Sequence, residues 1–335
     1  MTKSINTAFS NFKKEFVNLD SDRTSKARSS RNWLIEQIES IECKNEDFPK
    51  LYKDKNIFFG SFARNTKIRE LDDIDLMICL SANGTTYNEN SSYTNNIELN
   101  VPDSNTTLKG LCYDNSNRLN STKVINRFKK YIDSVPQYSN AEVHKNMEAL
   151  TLKLNSYEWN FDIVPCFFTA EDSQGKTFYI IPDGKGYWKK TDPRIDRDNI
   201  TTLNQTLDGN LLNVIRLIKY WNREKSIGIG SSYLLETMII NFYNQPNSSC
   251  TTFVDIEFVQ VLNYLKSAIL NDVQDLKGIQ GNLNNYSFIE RLNISSAIEK
   301  YYNLSVKARE YESTDMERCF IKWKEVLEGN FPEYE

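Results

Sequence analysis

The sequence predicts an α+β protein built as an N-terminal helix, a mixed-sheet lobe and a helical lobe. Three observations predict it. Apolar residues recur at helical spacing near the N-terminus. Short runs rich in β-branched and aromatic residues cluster between residues 57 and 168. After about residue 205 the long helical periods return. A chain of 335 residues also exceeds one minimal core and suggests two lobes. The expected division is 1–205 for the sheet lobe with its N-terminal helix and 206–335 for the helical lobe.

Each element has its own signal. Phe9, Phe12, Phe16 and Leu19, then Trp33, Leu34, Ile38 and Ile41, mark helix over 3–42. Between them SDRTSKARSSR is either a kink or an exposed face. The cations of this region, among them Lys3, Lys13, Lys14 and Arg31, make either a solvated face or the wall of an anion-binding cleft. Ile57–Phe59 and Asp73–Leu80 have strand length and composition. Residues 81–108 contain 16 Ser, Thr or Asn among 28 and read as a long surface insertion, with a short strand at Ile97–Val101. Residues 119–132 form an amphipathic basic helix. Val143, Ala149–Leu154 and Asn160–Phe168 read as strands. Helices follow around 211–221, 233–242, 254–270, 287–310 and 315–328.

Composition narrows the chemistry. There is one histidine, His144, so a His-based triad or a His-rich metal site is excluded or nearly so. The six cysteines include no CxxC pair, and Cys79 and Cys166 sit in apolar runs as buried thiols. The net charge of −4 is against a broad duplex-DNA footprint. No apolar run approaches the roughly 18–20 residues that span a bilayer. The N-terminus lacks a signal-peptide core, so a cytoplasmic protein is expected.

The informative stretch is GSFARNTKIRELDDIDLMICL, Gly60 to Leu80. A strand delivers the chain into Gly60-Ser61. Glycine lets the backbone approach a phosphate without a Cβ, and the Ser61 hydroxyl can bind phosphate oxygens. Asp73 and Asp75, two apart on a strand, share a face, while Ile74 and Leu76 point into the core. Like charges on one face call for a cation, and Mg²⁺ prefers oxygen ligands. Asp162 is an isolated acid in an apolar strand, costly unless paired or metal-bound. If its strand lies beside that of Asp73 and Asp75, three carboxylates converge as in a two-metal site for in-line phosphoryl transfer.

The combination of strand, Gly-Ser, DDIDLMI and a distant hydrophobic-Asp-hydrophobic strand resembles the polymerase-beta-like nucleotidyltransferases. Among them it is most similar to the bacterial cyclic oligonucleotide synthases, over nearly the whole chain. The resemblance implies a spine helix at the N-terminus and donor triphosphate on Gly60 and Ser61. It implies two Mg²⁺, with Mn²⁺ as a substitute, on Asp73, Asp75 and Asp162. Asp162 would also act as the base for the attacking ribose hydroxyl, or orient it. Lys219, in RLIKYWN, is similar to the family lysine that contacts the triphosphate. Ser231 and Ser232 open a helix and contact phosphate. Tyr233 is either a core aromatic or the platform that stacks on the donor base, with its hydroxyl dispensable. Arg64 touches the triphosphate or caps a sheet carboxylate. The segment 182–197, with Lys189, Lys190, Arg194 and Arg197, is either an exposed basic turn or the side that binds the incoming nucleotide.

The resemblance further implies NTP substrates, with ATP or GTP foremost, and a cyclic product that activates an effector protein in antiphage defence. The zinc-binding insert of the animal DNA sensor cannot form here. Activation by duplex DNA is therefore not expected, and the enzyme is expected to be either basally active or controlled by a protein partner. The alternative on the same fold is transfer of nucleotides to RNA, to a protein or to a small molecule.

Overall fold

A computed structural model describes residues 4–88 and 97–334. Lys3 and part of the expected insertion, 89–96, lie outside the described residues. The chain forms two compact units. One is Ser21–Ala63 with Leu71–Arg194. The other joins the residues up to Asp20, Arg64–Glu70, and the chain from Ile195 onward. The units do not follow a single cut at residue 205.

The sheet unit holds α2 (Ser21–Lys44), β1 (Ile57–Phe59), α3 (Gly60–Ala63), β2 (Asp73–Leu80), β3 (Thr86–Asn88), β4 (Glu98–Asn100), α4 (Thr106–Lys109), α5 (Ser121–Ile132), β5 (Glu142–Asn146), β6 (Ala149–Lys153), β7 (Asn160–Phe168), β8 (Tyr179–Pro182) and β9 (Trp188–Thr191). The main sheet runs β1-β2-β7-β6-β5, with β8 on β7 and β9 on β8. Among the described residues only β2 and β7 pair in parallel, so the sheet is mixed as expected. The alternation in β2 works as the sequence reads. Ile74, Leu76 and Ile78 fill one face, while Met77 and Cys79 continue the face that begins with Asp73 and Asp75. Cys79 and Cys166 are register partners, both fully buried. Pro165 falls where β6 pairing has stopped at Ile163 and β8 pairing begins at Phe167, a place in the ladder suited to a residue with no N–H. The strand expected at 97–101 exists as β4, paired with β3. The segment SDRTSKARSSR is the first half of α2, largely exposed but with Ala27 and Ser30 buried, and not a kink.

The helical unit holds α1 (Ile5–Phe12), α7 (Leu211–Glu224), α8 (Ser232–Tyr243), α9 (Val254–Ala268), α10 (Phe288–Tyr311) and α11 (Met316–Leu327), with most of α6 (Pro193–Thr206). The expected helix over 3–42 is two helices. A π-helical turn, Lys13–Val17, ends the first, and extended Asn18 follows. The apolar stripe of α1 explains its allegiance. Phe9 lies edge-on to Trp323 at 4.9 Å and to Phe331 at 5.0 Å, and Phe12 meets Tyr220 at 5.2 Å. Residues 64–70 are stitched in by hydrogen bonds. Arg216 Nη1 donates to the Asn65 carbonyl at 2.7 Å, and the Arg69 N–H donates to the Val17 carbonyl at 2.9 Å. No helix among the described residues is long and apolar enough to cross a membrane.

Candidate active site

The sheet unit brings three of the singled-out carboxylates together. In the parallel register Asp75 pairs with Asp162, so their side chains leave the same face side by side. Asp73 stands two residues upstream on that face. Ligand oxygens from Asp73, Asp75 and Asp162 all lie within 4.8 Å of one another, and all three residues are half-buried. This all-oxygen donor set, without nitrogen or sulfur, fits a hard divalent cation such as Mg²⁺ or Mn²⁺.

Gly60 closes one flank of the cluster. Phe59 pairs with Asp75, and the chain then turns at Gly60 with φ +71°. A Cβ there would overlap Oδ2 of Asp75 and stand 2.6 Å from its Cγ. Only glycine permits this approach of backbone to carboxylate. Ser61 follows in α3, three residues ahead of Arg64.

Thr151 closes the other flank. It is the β6 partner of Asp162, and its hydroxyl donates to Asp162 Oδ1 at 2.6 Å. One oxygen of Asp162 is thereby oriented, as partners behind metal ligands commonly do. Thr151→Val is expected to weaken Mn²⁺ binding, followed by EPR titration, by about tenfold to a hundredfold, with Thr151→Ser restoring it. Equal affinity in the Val variant would show the bond to be without consequence for the cluster.

Arg194 belongs to the sheet unit and is drawn into local structure. Its guanidinium donates to Asp192 through Nε at 2.8 Å and Nη2 at 2.7 Å, and to the Thr177 carbonyl at 2.7 Å. Lys189 and Lys190 lie in β9 rather than in a turn, and Lys189 pairs with Glu148 at 3.3 Å.

The helical unit gathers Arg64 and Lys219 on one acid. Glu236, 1% exposed on α8, accepts from Lys219 Nζ at 2.7 Å, Arg64 Nε at 3.1 Å and Thr66 Oγ1 at 3.0 Å. Arg64 thus caps a carboxylate, but one on a helix rather than on the sheet. Burial lowers the Lys219 ammonium below its ordinary pKa, against the pull of Glu236. The two cations outnumber the acid, so this cluster keeps positive character. Glu236 was detectable in principle: a lone acid in LLETMII needs a cation to be buried.

Ser231 caps α8, its hydroxyl accepting from the Leu234 N–H at 3.2 Å, and Ser232 is exposed at the first helical position. Tyr233 is not simply a ring. Its hydroxyl lies 2.7 Å from Asp196 Oδ1 and 2.6 Å from Asp275 Oδ1, and it accepts from Lys277 Nζ at 2.7 Å. Burial, then the two carboxylates, push the Tyr233 phenol well up. Burial alone would raise Asp275, but the Tyr233 hydroxyl, the Gln280 amide and Lys277 hold it below its usual value. The hydroxyl thus has a structural use that a stacking role alone does not call for. Tyr233→Phe is expected to cost about 1.5–3 kcal/mol, because the hydrogen bonds lost are to charged groups. Urea unfolding checks this, and an unchanged midpoint would mean that the network adds nothing. Lys277 Nζ also sits 3.9 Å from the ring centroid.

No protein-family model matches the chain. It is 45% identical, across the full length of both chains, to a probable cyclic nucleotide synthase of Bacillus cereus strain VD146. Among solved structures it is similar to CdnC of E. coli MS115-1 with ATP, at TM-score 0.69, 18% identity and 98% of each chain. It is also similar to CdnC in complex with HORMA-deltaN, at TM-score 0.66, 19% identity and 98% of each chain. E. coli DncV bound to 3′-deoxy GTP matches at TM-score 0.63 and 14% identity, over 96% of this chain and 97% of that one. These structures share the mixed-sheet and helical architecture. The 45% identity to the Bacillus protein over the full length of both chains then settles the family: the chain belongs to the bacterial cyclic nucleotide synthases, which are nucleotidyltransferase enzymes.

Proposed function

We propose that this enzyme condenses nucleoside triphosphates, ATP or GTP foremost, into a cyclic di- or trinucleotide with release of pyrophosphate. The observation that carries the reading is the convergence of Asp73, Asp75 and Asp162 on adjacent parallel strands. A ribose hydroxyl attacks the α-phosphorus, a P–O bond forms, and the α–β anhydride bond breaks to free pyrophosphate. Asp162 takes or orients the hydroxyl proton, and Thr151 keeps that carboxylate turned toward the cluster. Gly60 and Ser61 bind the donor triphosphate. Lys219, Arg64, Ser231 and Ser232 serve phosphate contacts, Arg194 an incoming nucleotide, and Tyr233 the donor base through the ring face away from Lys277. Bound Mg²⁺, held by the three aspartates, would neutralise the charge that builds on the phosphates.

The product acts as a cytoplasmic second messenger that switches on an effector in antiphage defence. The complex of CdnC with HORMA-deltaN supports control by a regulatory protein. Duplex DNA has no part, in keeping with the net charge of −4.

The test is incubation of the purified protein with each radiolabelled NTP, singly and in mixtures, with Mg²⁺, Mn²⁺ or EDTA. Phosphatase-resistant product that needs the cation is expected, with no many-fold rise on adding long duplex DNA. Label appearing only on added RNA, protein or a small acceptor would replace this reading with transfer to that acceptor.

A further inference from the structure

We infer that Met147, at the tip of the β5–β6 hairpin, is a specificity-determining contact for the base of the attacking nucleotide. The inference rests on the proposed reaction and deepens it.

A cavity of about 250 Å³ opens beside the carboxylates. Phe59, Asp75 and Asp162 line one side, and the turn residues Asn146, Met147 and Glu148 line the other. Its volume suits one base or sugar rather than a whole triphosphate. The strand order says which one. The Gly60-Ser61 turn leaves β1, on one flank of the Asp75–Asp162 pair, while β6 and β5 with their hairpin lie on the other. In-line transfer puts the attacking and leaving oxygens on opposite sides of phosphorus. With the triphosphate on the Gly-Ser flank, the attacking nucleotide comes from the hairpin flank, and the cavity runs from Phe59 on β1 past Asp75 and Asp162 to that hairpin, so Met147 stands at the attacker's end of it.

Met147 is an unexpected residue for its backbone. Its φ is +50° in a two-residue hairpin turn, where Gly, Asn or Asp is the usual choice. Such a conformation persists at a bulky residue only when the surroundings hold it, and it often marks function. The surroundings do hold it. Gly184, itself at φ +87°, packs behind the turn so closely that a Cβ would lie 3.2 Å from the Met147 Cα. Lys145 Nζ donates to the Gly184 carbonyl at 3.1 Å, and Glu148 pairs with Lys189 at 3.3 Å. The turn is braced from behind while its Met side chain stands 59% exposed. A thioether adapts to aromatic faces of different outline, which is what a platform for one or more bases requires.

The test compares wild type, Met147→Gly and Met147→Leu. Pyrophosphate release and product composition are measured with competing NTPs, beside thermal unfolding without substrate. Glycine relieves the positive φ, so Met147→Gly should unfold at the same or a higher temperature. It should raise the KM for the attacking nucleotide by about threefold to tenfold, leave kcat within about twofold, and change the ratio of bases in the product. Leucine should recover most of the KM. An unchanged KM and product ratio in Met147→Gly would overturn the inference and leave Met147 a strained turn residue. Wild type that releases no pyrophosphate from any NTP mixture would overturn the underlying reaction, and the inference with it.

Discussion

The double variant Asp73→Asn, Asp75→Asn is expected to lose cyclic product by about a thousandfold or more and still fold. The oxygens from Asp73, Asp75 and Asp162 lie within 4.8 Å of one another, and each Asn removes a charge while keeping the shape. Cation chemistry of this kind supplies several kcal/mol to the transition state, and each 1.36 kcal/mol is about tenfold in rate. Thermal unfolding with and without Mn²⁺ separates lost binding from lost folding. A ligand at about 100 times its Kd stabilises by roughly 2.7 kcal/mol, so wild type should gain several degrees and the double variant almost none. Activity within tenfold of wild type would remove the cluster from the mechanism.

The next largest effect is expected from Gly60→Ala, a change of one methyl group. The added Cβ overlaps Asp75 Oδ2 and meets its Cγ at 2.6 Å. Either the turn opens or Asp75 swings out of line with Asp162. The φ of +71° adds about 1–2 kcal/mol of strain for an L side chain. Activity should fall about a hundredfold, consistent with an ångström-scale misplacement of a reacting group. Mn²⁺ affinity should fall as well, and the thermal midpoint only modestly. If NTP affinity drops while Mn²⁺ affinity holds, the glycine serves the phosphate alone and not the carboxylate.

Much of this was legible in the sequence, for physical reasons. Asp73 and Asp75 announce themselves because period two puts them on one face, and Asp162 because a charge inside an apolar strand needs an explanation. What stayed hidden is what depends on pairing over distance. Thr151 reads as an ordinary strand threonine until register sets it opposite Asp162. Glu236 meets Arg64 across 172 positions, and Asp275 and Lys277 lie in a loop with no periodicity to betray them. Elements α6 and β9 were missed because PRIDRDNITTLNQT and WKKT carry too few apolar residues for either period to show. The grouping of α1 with the helical unit was hidden because α1 and α2 look alike in sequence, yet the stripe of α1 is filled by Phe12 against Tyr220 and Phe331.

That last packing arrangement has a consequence for biosynthesis. Phe9 and Phe12 leave the ribosome more than 300 residues ahead of Trp323 and Phe331, which pack against them. At about 5–20 residues per second, the first helix waits roughly 15–60 s with its aromatic stripe bare. The segment from Ser21 to Arg194, by contrast, encodes the whole of the sheet unit and can begin folding as it emerges. A nascent chain stalled before α11 would therefore carry the aromatic stripe of α1 still uncovered, while every residue of the sheet unit is already available to fold.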